Sequence, residues 1–134
     1  MGAVTLVGLM IASVLGCFLY YPPRQTVLAE MRMTHAEVFS AANSGDWDTA
    51  LYWIPIYDDW ARKLMVGEYL RGRSVSDYQR MRAKVLLDQL ERLEHEVEDQ
   101  ELAETQARVR RLNSAFNRFR KAFATAEPMV PSQQ

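Results

Sequence analysis

The sequence is poor in the residues that build disulfide frameworks and loop-rich folds. It contains one cysteine, six glycines and five prolines in 134 residues. One cysteine excludes an intramolecular disulfide and a cysteine-rich metal site. Few glycines and prolines favour long helices with short connections. Lys plus Arg number 16 and Asp plus Glu number 17, so the net charge of −1 excludes nucleic-acid binding through a bulk positive field.

Motifs for catalysis and for covalent cofactor attachment are also missing. The chain has no Cys-x-x-Cys-His sequence for haem, no glycine-rich phosphate loop, no nucleophile elbow and no zinc motif. About half of the residues, 49%, are apolar, which is enough for a single hydrophobic core. We therefore expect one helical domain that is not an enzyme and that carries no cofactor.

Charge is absent from the N-terminal segment. The first 23 residues include no Asp, Glu, Lys or Arg, and most of them are apolar. About 20 helical residues at ~1.5 Å each match the ~30 Å hydrocarbon core of a bilayer. Residues 1–22 are therefore predicted to form a transmembrane anchor, with Tyr20 and Tyr21 at the aromatic belt and Arg24 at the headgroups.

Small residues recur along one face of this segment. Gly8, Ala12 and Gly16 are four residues apart, a spacing that lets another helix approach closely in a membrane. The pattern predicts a packing face for partner helices. The alternative is that glycine and alanine are simply frequent in membrane helices.

The sequence around Cys17 has two interpretations. V-L-G-C resembles a lipoprotein processing site, in which acylated Cys17 would begin the mature chain. However, no Lys or Arg precedes residue 24, whereas a cleaved signal peptide has a positive n-region. We expect an uncleaved anchor, and an envelope lipoprotein or adaptor stays an alternative.

Helical periodicity continues after the proline pair that follows the anchor. The predicted fold is all-α: an N-terminal transmembrane helix, an up-down-up-down four-helix bundle over 23–127 and an extended tail over 128–134. The bundle helices are predicted at about 24–43, 46–70, 75–97 and 99–125. Pro55 lies inside the second of them and predicts a kink or a break at Ile54.

The predicted topology separates the charges of the bundle by sign. The end nearer the anchor collects basic residues, and the opposite end is acidic. The basic residues expected at the membrane interface besides Arg24 are Arg71, Arg73, Arg118, Arg120 and Lys121. They would interact with anionic headgroups. Part of the pattern is equally explained by charges that complement the helix dipoles.

Metal binding rests on few candidates. Met31 and His35 share a helical face, and thioether and imidazole groups are ligands that Cu(I) prefers. Asp58 could join them in a membrane-tethered metal- or cofactor-binding bundle. The favoured interpretation is that Met31 and His35 belong to the core and that no metal is bound.

The aromatic residues of the second bundle helix are too numerous for one narrow core. Trp47, Tyr52, Trp53 and Trp60 are predicted to include a face that binds a partner protein, because aromatic side chains are enriched at interfaces. The alternative is a bulky core packed around this helix.

The order of an apolar first segment and a helical bundle is the feature on which a resemblance to known proteins rests. It resembles small single-pass accessory subunits of bacterial photosynthetic or respiratory membrane complexes, with a helical bundle similar to the cytochrome c′ type but without its haem motif. The resemblance implies a non-catalytic subunit that stabilises a larger integral-membrane, photosynthetic or electron-transfer complex. Its expected partners are subunits of that complex and the lipid bilayer.

The expected location is the inner membrane. Arg24 and Arg32 follow the anchor, which by the positive-inside rule favours a cytoplasmic bundle. Uncleaved N-terminal anchors commonly carry periplasmic domains, and the resemblance to helical-bundle proteins also favours a periplasmic location. We therefore expect a periplasmic bundle.

Overall fold

The computed structural model describes residues 2–124 apart from the side chain of Phe18, and within that range the chain forms five α-helices. There is no β-strand within that range. The helices are α1 (Gly2–Tyr20), α2 (Arg24–Ser44), α3 (Trp47–Leu70), α4 (Asp77–Glu98) and α5 (Leu102–Ala124). The extended tail predicted at 128–134, and the predicted ends of the last helix at 125 and of the bundle at 127, lie outside the described residues.

Local sequence signals set the helix ends. Gly45 follows α2 with φ +75°, and its N–H donates to carbonyls of the last turn, as in a left-handed C-terminal cap. The carboxylate of Asp46 then accepts a hydrogen bond from the Thr49 N–H at the start of α3. Ser76 and Gln79 cap α4 reciprocally, each side chain accepting the backbone N–H of the other residue. These signals are local, so they could be predicted from the sequence.

Helices α2 to α5 pack as a ring in which each helix touches the next one along the chain and α5 closes on α2. Consecutive helices are joined by short turns, so they run antiparallel. We call the end that holds the start of α2 and the α3–α4 loop the base. The opposite end, with the α2–α3 and α4–α5 turns, is the distal end.

The core lies inside this ring and is built mainly from large apolar side chains. The largest fully buried ones are Tyr57, Phe119, Phe123, Met31, Ile54, Leu64, Leu86, Leu90, Leu93 and Leu112. They come from all four bundle helices and none comes from α1. The bundle therefore has a complete core of its own.

Pro55 does not break α3. The helix runs without interruption from Trp47 to Leu70, so the predicted break at Ile54 is wrong. The ring of Pro55 lies on the exposed side of the helix, whereas Ile54 beside it is buried. A proline on the solvent side is tolerated better, because water can reach the carbonyl that loses its N–H partner.

The N-terminal helix requires a correction. Residues Gly2–Tyr20 are helical, but within residues 2–124 no helix combines the length and the apolar character needed to cross a membrane. The prediction of an N-terminal transmembrane helix is therefore wrong.

Candidate functional site

Helix α1 is apolar and exposed along its whole described length. Ten of its large hydrophobic side chains are between 53% and 83% exposed. They are Val4, Leu6, Val7, Leu9, Met10, Ile11, Val14, Leu15, Leu19 and Tyr20. A contiguous exposed apolar surface of this kind marks an interaction site, since water alone is a poor neighbour for it.

The small residues of α1 leave one of its faces open. A Cβ atom built on Gly8 or on Gly16 would meet nothing within 4 Å outside the helix itself. Together with Ala12 they form a shallow strip along α1, which we call the small-residue face. A partner helix could approach the backbone closely along this strip.

The end of α1 is attached to the base of the bundle by contacts with α3. The Arg71 guanidinium donates a hydrogen bond to the Tyr21 carbonyl at 2.6 Å. The Lys63 ammonium lies 4.4 Å from the centroid of the Tyr20 ring and 5.0 Å from that of Trp60. A Cβ atom built on Gly67 would lie 3.1 Å from Nη1 of Arg71, so the glycine leaves room for the Arg71 guanidinium. Tyr20, Tyr21 and Arg71, predicted at a lipid interface, thus hold α1 to the bundle.

Arg24 lies inside the base and not on the surface where the sequence places it. Its side chain is 9% exposed and forms two hydrogen bonds with the Glu68 carboxylate, at 3.1 and 2.7 Å. Its third donor reaches the Phe123 carbonyl at the end of α5, at 3.1 Å. Arg24 therefore cannot present its charge to lipid headgroups, because that charge is used to join α2, α3 and α5.

The pKa of the Glu68 carboxyl is set by two opposing effects. Burial raises it, but the hydrogen bonds from Arg24 and the positive charges of Arg24, Arg73 and Arg71 lower it more. The pKa of Glu68 therefore lies below its ordinary value, and the pair is ionised at neutral pH. The other predicted interface cations, Arg73, Arg118 and Lys121, are exposed, and Arg120 is half-buried with its guanidinium 5.9 Å from the Phe116 ring centroid.

His35 is the centre of a second buried polar cluster. Its Nδ1 lies 3.0 Å from the Tyr57 hydroxyl and its Nε2 lies 3.0 Å from Oδ1 of Asn113. Since an amide oxygen only accepts, Nε2 carries the proton and Nδ1 accepts from Tyr57. The ring also stacks on Phe116 with centroids 4.4 Å apart. Burial lowers the pKa of His35 and raises that of Tyr57, which favours the neutral form of both.

The candidate metal ligands are not brought together. Both ring nitrogens of His35 are engaged in hydrogen bonds, and Met31 is fully buried. Asp58 forms an ion pair with Arg62 one turn away, at 2.7 Å. Among the described residues there is no group of three or more His, Cys, Asp or Glu side chains that could hold a metal ion. This geometry gives no support to a metal-binding bundle.

The aromatic residues of α3 divide between the core and the surface. Trp47, Trp53 and Trp60 are half-buried and pack against the core, whereas Tyr52 is 64% exposed. Tyr52 lies edge-on to Trp53, with ring centroids 5.2 Å apart. The exposed aromatic surface is thus narrower than the sequence predicts, and α1 carries most of the uncovered apolar area.

Sequence reasoning missed Glu68 as a structural residue. Tyr57, Ala61, Leu64 and Glu68 are spaced by four, three and four residues, so Glu68 continues the buried stripe of α3. That spacing could have identified it.

No protein-family model, no curated protein and no solved structure matches this chain. Its function is therefore argued from its own residues.

Proposed function

We propose that this protein is a non-catalytic accessory subunit that attaches to a larger integral-membrane protein assembly by burying α1 against apolar helices of a partner subunit. The observation that supports this most directly is the exposure of ten large hydrophobic side chains on a helix that the bundle core does not need. Such a partner needs to present only an apolar surface about as long as α1.

The uncovered surface supplies a driving force for association. Full burial of a large hydrophobic side chain contributes about 1.5–3 kcal/mol. Covering the exposed parts of the side chains around one face of α1, about half of the ten, would contribute on the order of 5 kcal/mol before the cost of association.

The small-residue face supplies the geometry of the contact. Packing against Gly8, Ala12 and Gly16 would bring the backbones of α1 and a partner helix together, with the larger side chains of α1 around the strip. The bundle would then stay outside this contact as a rigid domain, connected through Tyr21 and Arg71.

The test places bulky side chains on the small-residue face and introduces no polar or charged group. The double variant Gly8→Leu with Gly16→Leu should still fold, because neither position has a neighbour within 4 Å in the chain itself. We expect it to lose co-elution with the partner assembly during size-exclusion chromatography in a mild detergent.

The matched control is Met10→Leu with Val14→Leu, on the opposite face of α1. It keeps the helix equally apolar and should co-elute as the wild type does. If the glycine variant stays with the assembly, or if the wild type elutes alone, the proposed attachment is wrong.

A further inference from the structure

A groove between α3 and α4 leaves part of the bundle uncovered. It has a volume of about 750 Å³ and is open to solvent. Ile54 and Leu90 form its deepest part and are 1% exposed. Met65 and Leu87 are half-buried along its walls, and Pro55 is exposed beside them. The accessible apolar floor of the groove is therefore formed by Pro55, Met65 and Leu87, and not by the two buried side chains.

The dimensions of the groove suit a helix. Its α4 side extends from Arg80 to Glu94, and the fourteen steps between these residues span about 21 Å at ~1.5 Å per residue. This length matches about four turns of an α-helix. Amphipathic helices are commonly bound in apolar grooves of this kind, with side chains at i, i+3, i+4 and i+7 on the floor.

The rim of the groove is divided by charge. Toward the base it carries Arg62, Arg80 and Lys84. Toward the distal end, α4 contributes Asp88, Glu91 and Glu94, and α3 contributes Asp58. Within residues 2–124, Asp88, Glu91 and Glu94 form no ion pair, whereas Asp58 is paired with Arg62 and Arg80 is paired with Asp77. The distal half of the rim therefore attracts cations, and in the basal half Lys84 adds a positive charge that none of these pairs offsets.

We propose that this groove binds an amphipathic helix of a partner protein whose two halves carry opposite charges. Its apolar stripe lies on the floor beside Leu87. Its basic half faces Glu91 and its neighbours, and its acidic half faces Lys84 and Arg80. The charges thereby fix the direction of the bound helix along the groove.

The uncovered helix of a second copy does not fit this description. Helix α1 contains no Asp, Glu, Lys or Arg, so it cannot satisfy either half of the rim. Helices α2 to α5 already bury their apolar stripes in the core. The charge pattern therefore favours a different protein as the occupant. The groove and α1 are separate surfaces, so a failure of one proposal leaves the other standing.

The test uses the full chain in mild detergent and a labelled synthetic peptide of 16 residues. This peptide, which we call the two-signed peptide, has a leucine stripe, lysines on the polar positions of one half and glutamates on those of the other. We expect saturable binding in fluorescence anisotropy, weakened by added salt. A second peptide with the same leucines and glutamates in both halves should bind at least tenfold more weakly.

Two pairs of protein variants locate the binding. Glu91→Lys should weaken binding of the two-signed peptide about fivefold, as expected for reversing one partly exposed charge. Glu37→Lys on α2, which does not pack against α4, is its control and should bind normally. Leu87→Ser should also weaken binding, whereas Val85→Ser, at a half-buried position on α4 outside the groove, should not.

Circular dichroism establishes that each variant is folded. The proposal is overturned if the two-signed peptide does not bind, or if Glu91→Lys and Leu87→Ser bind as tightly as their controls. It is also overturned if the wild type self-associates and Glu91→Lys abolishes that association, because the occupant would then be a second copy.

Discussion

Along α2, Arg24 and His35 place polar groups inside the bundle, and each is matched by partners on other helices. Arg24 joins Glu68 of α3 and the Phe123 carbonyl of α5, while His35 joins Tyr57 of α3 and Asn113 of α5. A buried polar group costs free energy unless it is hydrogen-bonded. These two clusters therefore favour one arrangement of α2, α3 and α5 over others that would leave the groups unpaired.

The first prediction at this scale concerns the buried ion pair. Glu68→Gln keeps the shape of the side chain but leaves the Arg24 charge without its carboxylate. We expect the free energy of unfolding, measured by urea titration with circular dichroism, to fall by about 3 kcal/mol. Asp59→Asn removes the exposed partner of Lys63 and is the control, with an expected change below about 1 kcal/mol.

A double variant separates the cost of an unpaired charge from the value of the pair. Arg24→Met with Glu68→Leu removes both charges, and we expect it to be more stable than Glu68→Gln. If Glu68→Gln is as stable as the wild type, the ion pair does not hold the base together.

The second prediction concerns His35 and pH. Burial lowers the pKa of His35 in the folded state below its ordinary value of 6.5. As the pH falls through 6.5, His35 therefore binds a proton more readily in the unfolded chain than in the folded protein. The contribution to stability is therefore present above pH 6.5 and is lost as the pH falls from 6.5 toward the lowered pKa. Urea titrations between pH 7.5 and 5 should show this decline.

Substitution of His35 tests this assignment. His35→Gln should reduce the dependence of stability on pH in this window, because it removes the titrating group. A His35→Gln profile that falls as steeply as that of the wild type would contradict the assignment.

The residue scale is where the sequence misleads most. Charged residues are rarely buried unless paired, so an arginine just after an apolar segment is naturally assigned to the surface. The carboxylate that pairs with Arg24 is 44 positions away, on α3. No local pattern of α2 indicates that partner, although the spacing of Glu68 on its own helix does.

At the scale of the elements, helix ends follow from short local signals. The Ser76 and Gln79 pair encloses the start of α4, and Gly45 ends α2. These features depend on the backbone within four residues, which explains why α2, α3 and α4 begin and end close to where the sequence predicts. The surroundings of a helix are not local, so the exposure of α1 and the position of Pro55 on the exposed side of α3 were not predicted.

The capping residue of α4 gives a prediction at this scale. Ser76→Ala removes the acceptor for the Gln79 N–H, and we expect a loss of about 1 kcal/mol in the free energy of unfolding. Ser74→Ala, two residues earlier in the exposed loop, should change it by less than about 0.5 kcal/mol. Equal effects of the two substitutions would show that the capping box does not stabilise α4.

At the scale of the whole molecule, the bundle and α1 have separate roles. Among the described side chains, those of the core all come from α2 to α5, and the largest uncovered apolar surface is on α1. The all-α fold could be predicted because apolar spacing recurs through the chain. The partner could not be predicted, because an apolar helix can pack against many kinds of apolar surface.

This division predicts the outcome of a truncation. A chain without residues 2–20 should keep the helicity of the bundle and a free energy of unfolding within about 1 kcal/mol of the full chain, since the core is intact. Thermal and urea unfolding would measure this. Loss of the cooperative transition would contradict the independence of the bundle.

Photo-crosslinking from α1 tests the central claim most directly. A photo-reactive phenylalanine derivative at Leu15, beside the small-residue face, would be activated in the cells that make the protein, with Val14 on the opposite face as the control. Mass spectrometry should find one protein adduct of defined mass from Leu15 and much less of it from Val14. Adducts with lipid alone, or equal protein adducts from both positions, would contradict the attachment of α1 to a partner subunit through that face.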